Sequence, residues 1–144
     1  MAEAFLPRDA GCCGVFAVAE ATGLPFATVF EIGKATLGKR ASWRGSTSDD
    51  ERDRILEAIG ATVVEIPSMK GQTLLEAAWP GYYDASCNYI MCITGHVVCL
   101  KDGMYSDQAN RRHPLLFKYR HWTVKHAYAV TPIVPDTDAS LDLF

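Results

Sequence analysis

The order of its predicted elements makes this chain an α+β domain. Three observations carry that reading. Helix-type apolar spacing recurs between residues 13 and 59. Strand-type runs follow at 88–94, 96–100, 103–107 and near 126–130. Between two of those runs stands Asp102-Gly103, a strong signal for a two-residue hairpin turn, which makes the flanking strands antiparallel neighbours. Helices in one run and strands in another give segregated layers, not a doubly wound sheet. The expectation is N-terminal helices packed on a C-terminal antiparallel sheet.

Each element has a local reason. In GCCGVFAVAEATGLPF, residues 11–26, the positions Val15, Ala17, Val18, Ala19 and Ala21 suit a largely buried helix from Cys13 to Thr22. Gly23 stops it, because glycine tolerates left-handed backbone angles. Pro25 then starts a second helix, whose apolar face is Phe26, Val29, Phe30, Ile32, Gly33 and Leu37. A Gly/Ser/Thr/Arg loop follows, and residues 38–48 are the one stretch that reads as a specificity loop. Ser48 and Glu51 spell a capping box for a helix over 49–59, with Ile55, Leu56 and Ile59 inward and charge outward. Gly60 ends it. Residues 61–67 read as a strand closed by Pro67. Thr73 and Glu76 form a second capping box, opening a short helix toward Trp79.

A chain of 144 residues, 49% of them apolar, is sized for one domain with a normal core. The expected division is one domain over 1–135 and an acidic tail over 136–144. A net charge of −3 argues against a generic nucleic-acid binder, and no apolar run reaches the 18 or so residues of a membrane span. MAEAFLPRDAG has no basic start and no long apolar stretch, so a signal peptide is not expected. The five cysteines include an adjacent pair and no C-x-x-C, which fits reduced thiols better than a disulfide framework.

Thiol hydrolysis needs a cysteine, a histidine to take its proton, and a polar group to orient the histidine. Cys13 falls in the first turn of the first helix, where the helix dipole favours thiolate and unpaired N–H groups can face an oxyanion. His96 opens a strand after Thr94-Gly95, and Asp107 closes the next one. Counting outward from the Asp102-Gly103 turn pairs Lys101 with Met104 and Leu100 with Tyr105. Farther out, Val98 comes near Asp107 and Val97 near Gln108. His96 and Asp107 therefore reach the same end of one hairpin, where a carboxylate can hold an imidazole nitrogen.

These residues resemble the papain-like cysteine peptidases, in particular the bacteriocin-processing (double-glycine) type and its short phage and bacterial relatives. The resemblance rests on CGVFAVAEATGLPF (13–26), on GHVVCLKDGMYSDQ (95–108) and loosely on Trp122-x-Val124. It covers most of the chain in order. It implies a papain-like fold and hydrolysis of a peptide or isopeptide bond, with Cys13 as nucleophile, His96 as general base and Asp107 as orienter. A protein or peptide is then the substrate, and no cofactor is required. The implied setting is a bacterial cytoplasm or a phage virion. The chain departs from the family ahead of the cysteine, where Pro7 and Cys12 stand in place of the usual oxyanion-holding amide or acid. The Cys13 N–H, with Gln108 and Cys12 as supporting positions, is left for that task.

Other readings stand beside this one. Cys13 alone reads as a small buried residue at a helix start, and Cys87, Cys92 and Cys99 read as core. Cys12, Cys13, Cys87, Cys92, His96, Cys99 and His113 are zinc-ligand types without the close paired spacing of structural zinc sites, so no metal is expected. Residues 111–126, RRHPLLFKYRHWTVKH, hold five Lys/Arg, three His and no acid. They fit either a strand edge with aromatics inward or a backbone-tracking, base-stacking surface. The tail has three Asp and ends in Leu-Phe. It reads as a solvated tail or as the segment by which a protein assembly partner docks. A catalytically inactive papain-like fold, serving as a structural or binding protein in a phage particle, is the alternative function.

Overall fold

The computed structural model describes residues 13–78, 84, 86–107 and 120–133. It has three longer helices, α1 (Cys13–Thr22), α2 (Phe26–Leu37) and α3 (Asp49–Ile59), and a short α4 (Leu74–Ala77). The strands are β1 (Val63–Glu65), β2 (Asn88–Ile93), β3 (His96–Lys101), β4 (Met104–Ser106) and β5 (His126–Val130). They form one antiparallel sheet in the order β1-β5-β2-β3-β4. The chain is thus α+β, as its pattern predicts. No helix among the described residues is long and apolar enough to cross a membrane.

The helix boundaries follow local chemistry. Both capping boxes form: Ser48 Oγ accepts from the Glu51 N–H while Glu51 Oε1 accepts from the Ser48 N–H, and Thr73 and Glu76 do the same. Gly60, at φ 85°, closes α3 by bonding back to Leu56 and Glu57 carbonyls. The strand expected over 61–67 is shorter than its pattern. Pro67 has no N–H to continue a ladder, and the chain turns there into a 3₁₀ segment, Pro67–Met69.

The central strands of the sheet are covered on both faces, which the expected stack of helices on one sheet did not include. On one side α1, α2 and α3 bury Val15, Val18, Val29, Ile55 and Leu56 against Ile90, Cys92, Val97 and Cys99. On the other, Met69, Leu74, Ala77, Ala78 and Val124 pack on Tyr89, Met91, Val98, Leu100 and Tyr105. Every residue of β2 is therefore buried, which explains why NYIMCI shows no polar alternation. The second cover is assembled by residues 71–75, which exchange backbone hydrogen bonds with 120–124: Leu74 N–H donates to Trp122 O at 2.9 Å, and Val124 N–H to Gln72 O at 2.7 Å. In that stretch Val124 is the inward residue, while Trp122, an inward aromatic in the strand-edge reading, is 44% exposed. Phe117 and Tyr119 lie outside the described residues, as does the tail.

The loop before α3 is pinned, not loose. Trp43 stacks on Phe30 at 5.1 Å, donates its indole N–H to Ser46 O, and sits where Gly33 leaves room. This brings Thr47 against the first turn of α1. A Cβ on Gly14 would overlap Thr47 Oγ1, so glycine is required there for space. Gly14→Ala is expected to lower stability by about 1–3 kcal/mol through overpacking. In a Thr47→Ala background most of that loss disappears, since only the position-47 Cβ remains, 3.3 Å from the added methyl. A double-mutant cycle in urea unfolding checks this.

Candidate active site

Asp102 and Gly103 both adopt positive φ, 54° and 75°, and so make the two-residue hairpin turn that their identities predict. The register beyond it is the counted one: Lys101 with Met104, Leu100 with Tyr105, Cys99 with Ser106. The next pair in that series would be Val98 with Asp107, so His96 stands diagonal to Asp107 on the same face of the hairpin. Diagonal neighbours lie within reach of long side chains. His96 Nε2 and Asp107 Oδ2 are indeed 2.7 Å apart.

Burial sharpens this pair. The Asp107 side chain is 1% exposed and that of His96 is 13% exposed. A buried carboxylate needs a charged or donating partner, and the imidazole supplies one. With Nε2–H donating to the carboxylate, the neutral ring carries its lone pair on Nδ1. The aspartate thereby fixes which nitrogen can accept a proton.

The short strand β4 is anchored on both sides of the sheet, and it delivers Asp107. Tyr105 Oη donates to Leu74 O at 2.7 Å, and Ser106 Oγ donates to Glu20 Oε1 at 3.4 Å. Burial pushes the Tyr105 phenol well above its ordinary pKa, so it stays a neutral donor.

Helix α1 brings its N-terminus to the His96 end of β3. Near its C-terminus, Ala21 O accepts from Asn88 Nδ2 at 3.0 Å, and Glu20 meets Ser106, which pairs with Cys99. From there back to the first turn is about 10 Å of helix rise, and from Cys99 back to His96 is about 10 Å of strand. Thr47 touches Gly14 and lines the same cleft as His96. The first turn of α1, which begins at Cys13, therefore abuts a wall residue of the cleft, Thr47. That turn contains no acidic residue to offset the positive end of the helix dipole. The side chain of Cys13, together with Cys12 and Gln108, lies outside the described residues.

The cleft has a volume of about 630 Å³ and lies over the end of the sheet. Its walls include residues that the sequence reading did not single out: Thr47, Arg52, Cys92, Lys125 and His126. Arg52 corrects the expectation that α3 turns its charges outward. It is 1% exposed, and its Nη2 donates to Asp49 Oδ1 at 3.0 Å and lies 3.1 Å from Cys92 Sγ. The signal was present, because Arg52 stands three and four residues before Ile55 and Leu56 and so shares their face. Of the cysteines expected in the core, Cys92 and Cys99 are buried and Cys87 is half-buried. No group of three or more His, Cys, Asp or Glu among the described residues is arranged to hold a metal ion.

Compared with models of known protein families, with curated proteins and with solved structures, the chain matches none of them.

If Tyr105 secures the strand that carries Asp107, Tyr105→Phe should lower unfolding free energy by about 1 kcal/mol. The loss stays modest because Leu74 O keeps its bond from the Ala78 N–H. Urea unfolding with an unchanged slope is the check.

Proposed function

We propose that this chain is a papain-like cysteine hydrolase that cleaves a peptide or isopeptide bond, with Cys13, His96 and Asp107 as its catalytic groups. The observation that carries the reading is the 2.7 Å pair of His96 with the buried Asp107, at the end of the sheet to which α1 brings Cys13. In this reading the Cys13 thiol gives its proton to His96 Nδ1, and the helix dipole and the imidazolium favour the resulting thiolate. The sulfur attacks the substrate carbonyl carbon, and the oxyanion is met by the main-chain N–H at the start of α1.

Collapse of the tetrahedral adduct breaks the C–N bond. His96 returns the proton to the departing amine, leaving a thioester on Cys13. Water then attacks the thioester with His96 as base, the acid leaves, and the thiol is restored. Asp107 stays ionised throughout. It orients the ring and stabilises the imidazolium, and it transfers no proton. The substrate is a protein or peptide. A bacterial cytoplasm or phage particle is the setting in which the resemblance of residues 13–26 and 95–108 would place it.

The test is alkylation by iodoacetamide, resolved per cysteine by mass spectrometry between about pH 4 and 9, for the wild type, His96→Ala and Asp107→Asn. An ordinary thiol titrates near 8.5. Cys13 should react at least ~10-fold faster than Cys87 below pH 7, and both variants should erase most of that advantage. A Cys13 that behaves like Cys87 in the wild type defeats the reading. The same fold would then be a binding or structural protein.

A further inference from the structure

The cleft beside His96 is electrostatically lopsided. Among the described residues, its lining carries two permanent cations, Arg52 and Lys125, and one carboxylate, Asp49, with Asp107 behind His96. Asp49 is committed to Arg52 at 3.0 Å, but the two are unequally hydrated: the guanidinium is 1% exposed and the carboxylate 59%. The buried guanidinium is thus already matched by Asp49, as the buried Asp107 is by His96. His96 is held by Asp107, and His126 Nδ1 lies 3.9 Å from Glu65 Oε2. Lys125 is exposed and in no ion pair with another described residue.

Position matters as much as sign. Ile93 pairs with His96 on one side, and Cys92 pairs with His126 on the other. Lys125 precedes His126 and donates its N–H to Cys92 O at 2.8 Å. It therefore flanks the end of β2 opposite His96, about two strand spacings or ~10 Å away across the sheet. A lysine arm on one side and an acidic side chain on the other bridge that gap when the reacting carbonyl sits at His96.

We propose that this cleft is an anion-accepting subsite that seats an acidic side chain of the substrate next to the scissile bond, with Lys125 as its ion-pair partner. The proposal rests on the hydrolase reading and adds the class of substrate: a peptide carrying Asp or Glu beside the bond that is cut.

Two alkylating probes of similar size separate the two claims. Iodoacetate is an anion and iodoacetamide is neutral. The ratio of their rates at Cys13 reads the recruitment of negative charge, and any effect of the imidazolium is common to all variants. The ratio is expected to fall about 10-fold in Lys125→Glu and several-fold in Lys125→Met, and to fall with added salt in the wild type. The iodoacetamide rate is the denominator that cancels any change in thiolate fraction, and thermal melts like the wild type's show that both variants fold. A peptide with Glu beside the bond should likewise be cut faster than its Gln counterpart, with the preference lost in Lys125→Glu. A fast Cys13 whose probe ratio ignores both Lys125 substitutions overturns the subsite and leaves the hydrolase reading intact. Uniformly slow thiols overturn both.

Discussion

The register of the β3–β4 hairpin is the constraint on which the candidate site depends. Asp102 and Gly103 at φ 54° and 75° set a two-residue loop whose twist matches that of the strands. Side chains alternate with a period of two along a strand. A slip of one residue would move Asp107 to the opposite face from His96 and leave a buried carboxylate without its imidazole. The observed register avoids this, and two anchors hold it. Tyr105 ties the hairpin to α4 on one face, and Ser106 ties it to α1 on the other. A strand of three residues at the sheet edge would be a weak platform without them.

The two-sided core turns that hairpin into a rigid frame. β2 is buried along its whole length, with helices over one face and the 67–78 segment over the other. Interiors at protein packing density do not deform continuously. The end of the sheet where β2, β3 and β5 meet is consequently a fixed surface, and the cleft is built on it. Its remaining wall comes from the 38–48 loop, held by Trp43 against Phe30 and Gly33.

Among the described residues, two charged side chains are almost wholly buried near this cleft, Arg52 and Asp107. Burying an ion costs several kcal/mol unless partners compensate. Each has one: Asp49 for Arg52, and His96 for Asp107. Charged groups placed this way are weak evidence for stability and better evidence for a site, because functional clefts are where such costs recur. The opposite signs also divide the labour. The carboxylate holds the His96 ring, and the guanidinium holds Asp49 at the cleft wall.

Features whose cause lies within a few residues were legible from the chain alone. Both capping boxes, the glycine stop after α3 and the Asp102-Gly103 turn are local hydrogen-bond and φ preferences, and each formed as read. From the turn, counting brought His96 and Asp107 to the same end of one hairpin, since antiparallel register is arithmetic once the loop length is known, and the diagonal contact between them came from the structure. The remainder required distant segments to meet. The second cover over the sheet comes from 71–75 pairing with 120–124, a contact with no local signature. Arg52 carries the right helical spacing, yet a cation on an inward face becomes acceptable only when Asp49 and Cys92 are there to receive it. Lys125 looks like any surface lysine until β5 is inserted beside β2. Local propensity and turn geometry thus wrote the elements and one hairpin into the sequence. The cleft and its charge arose from long-range packing, because fields and cavities belong to groups that are close in space and far apart along the chain.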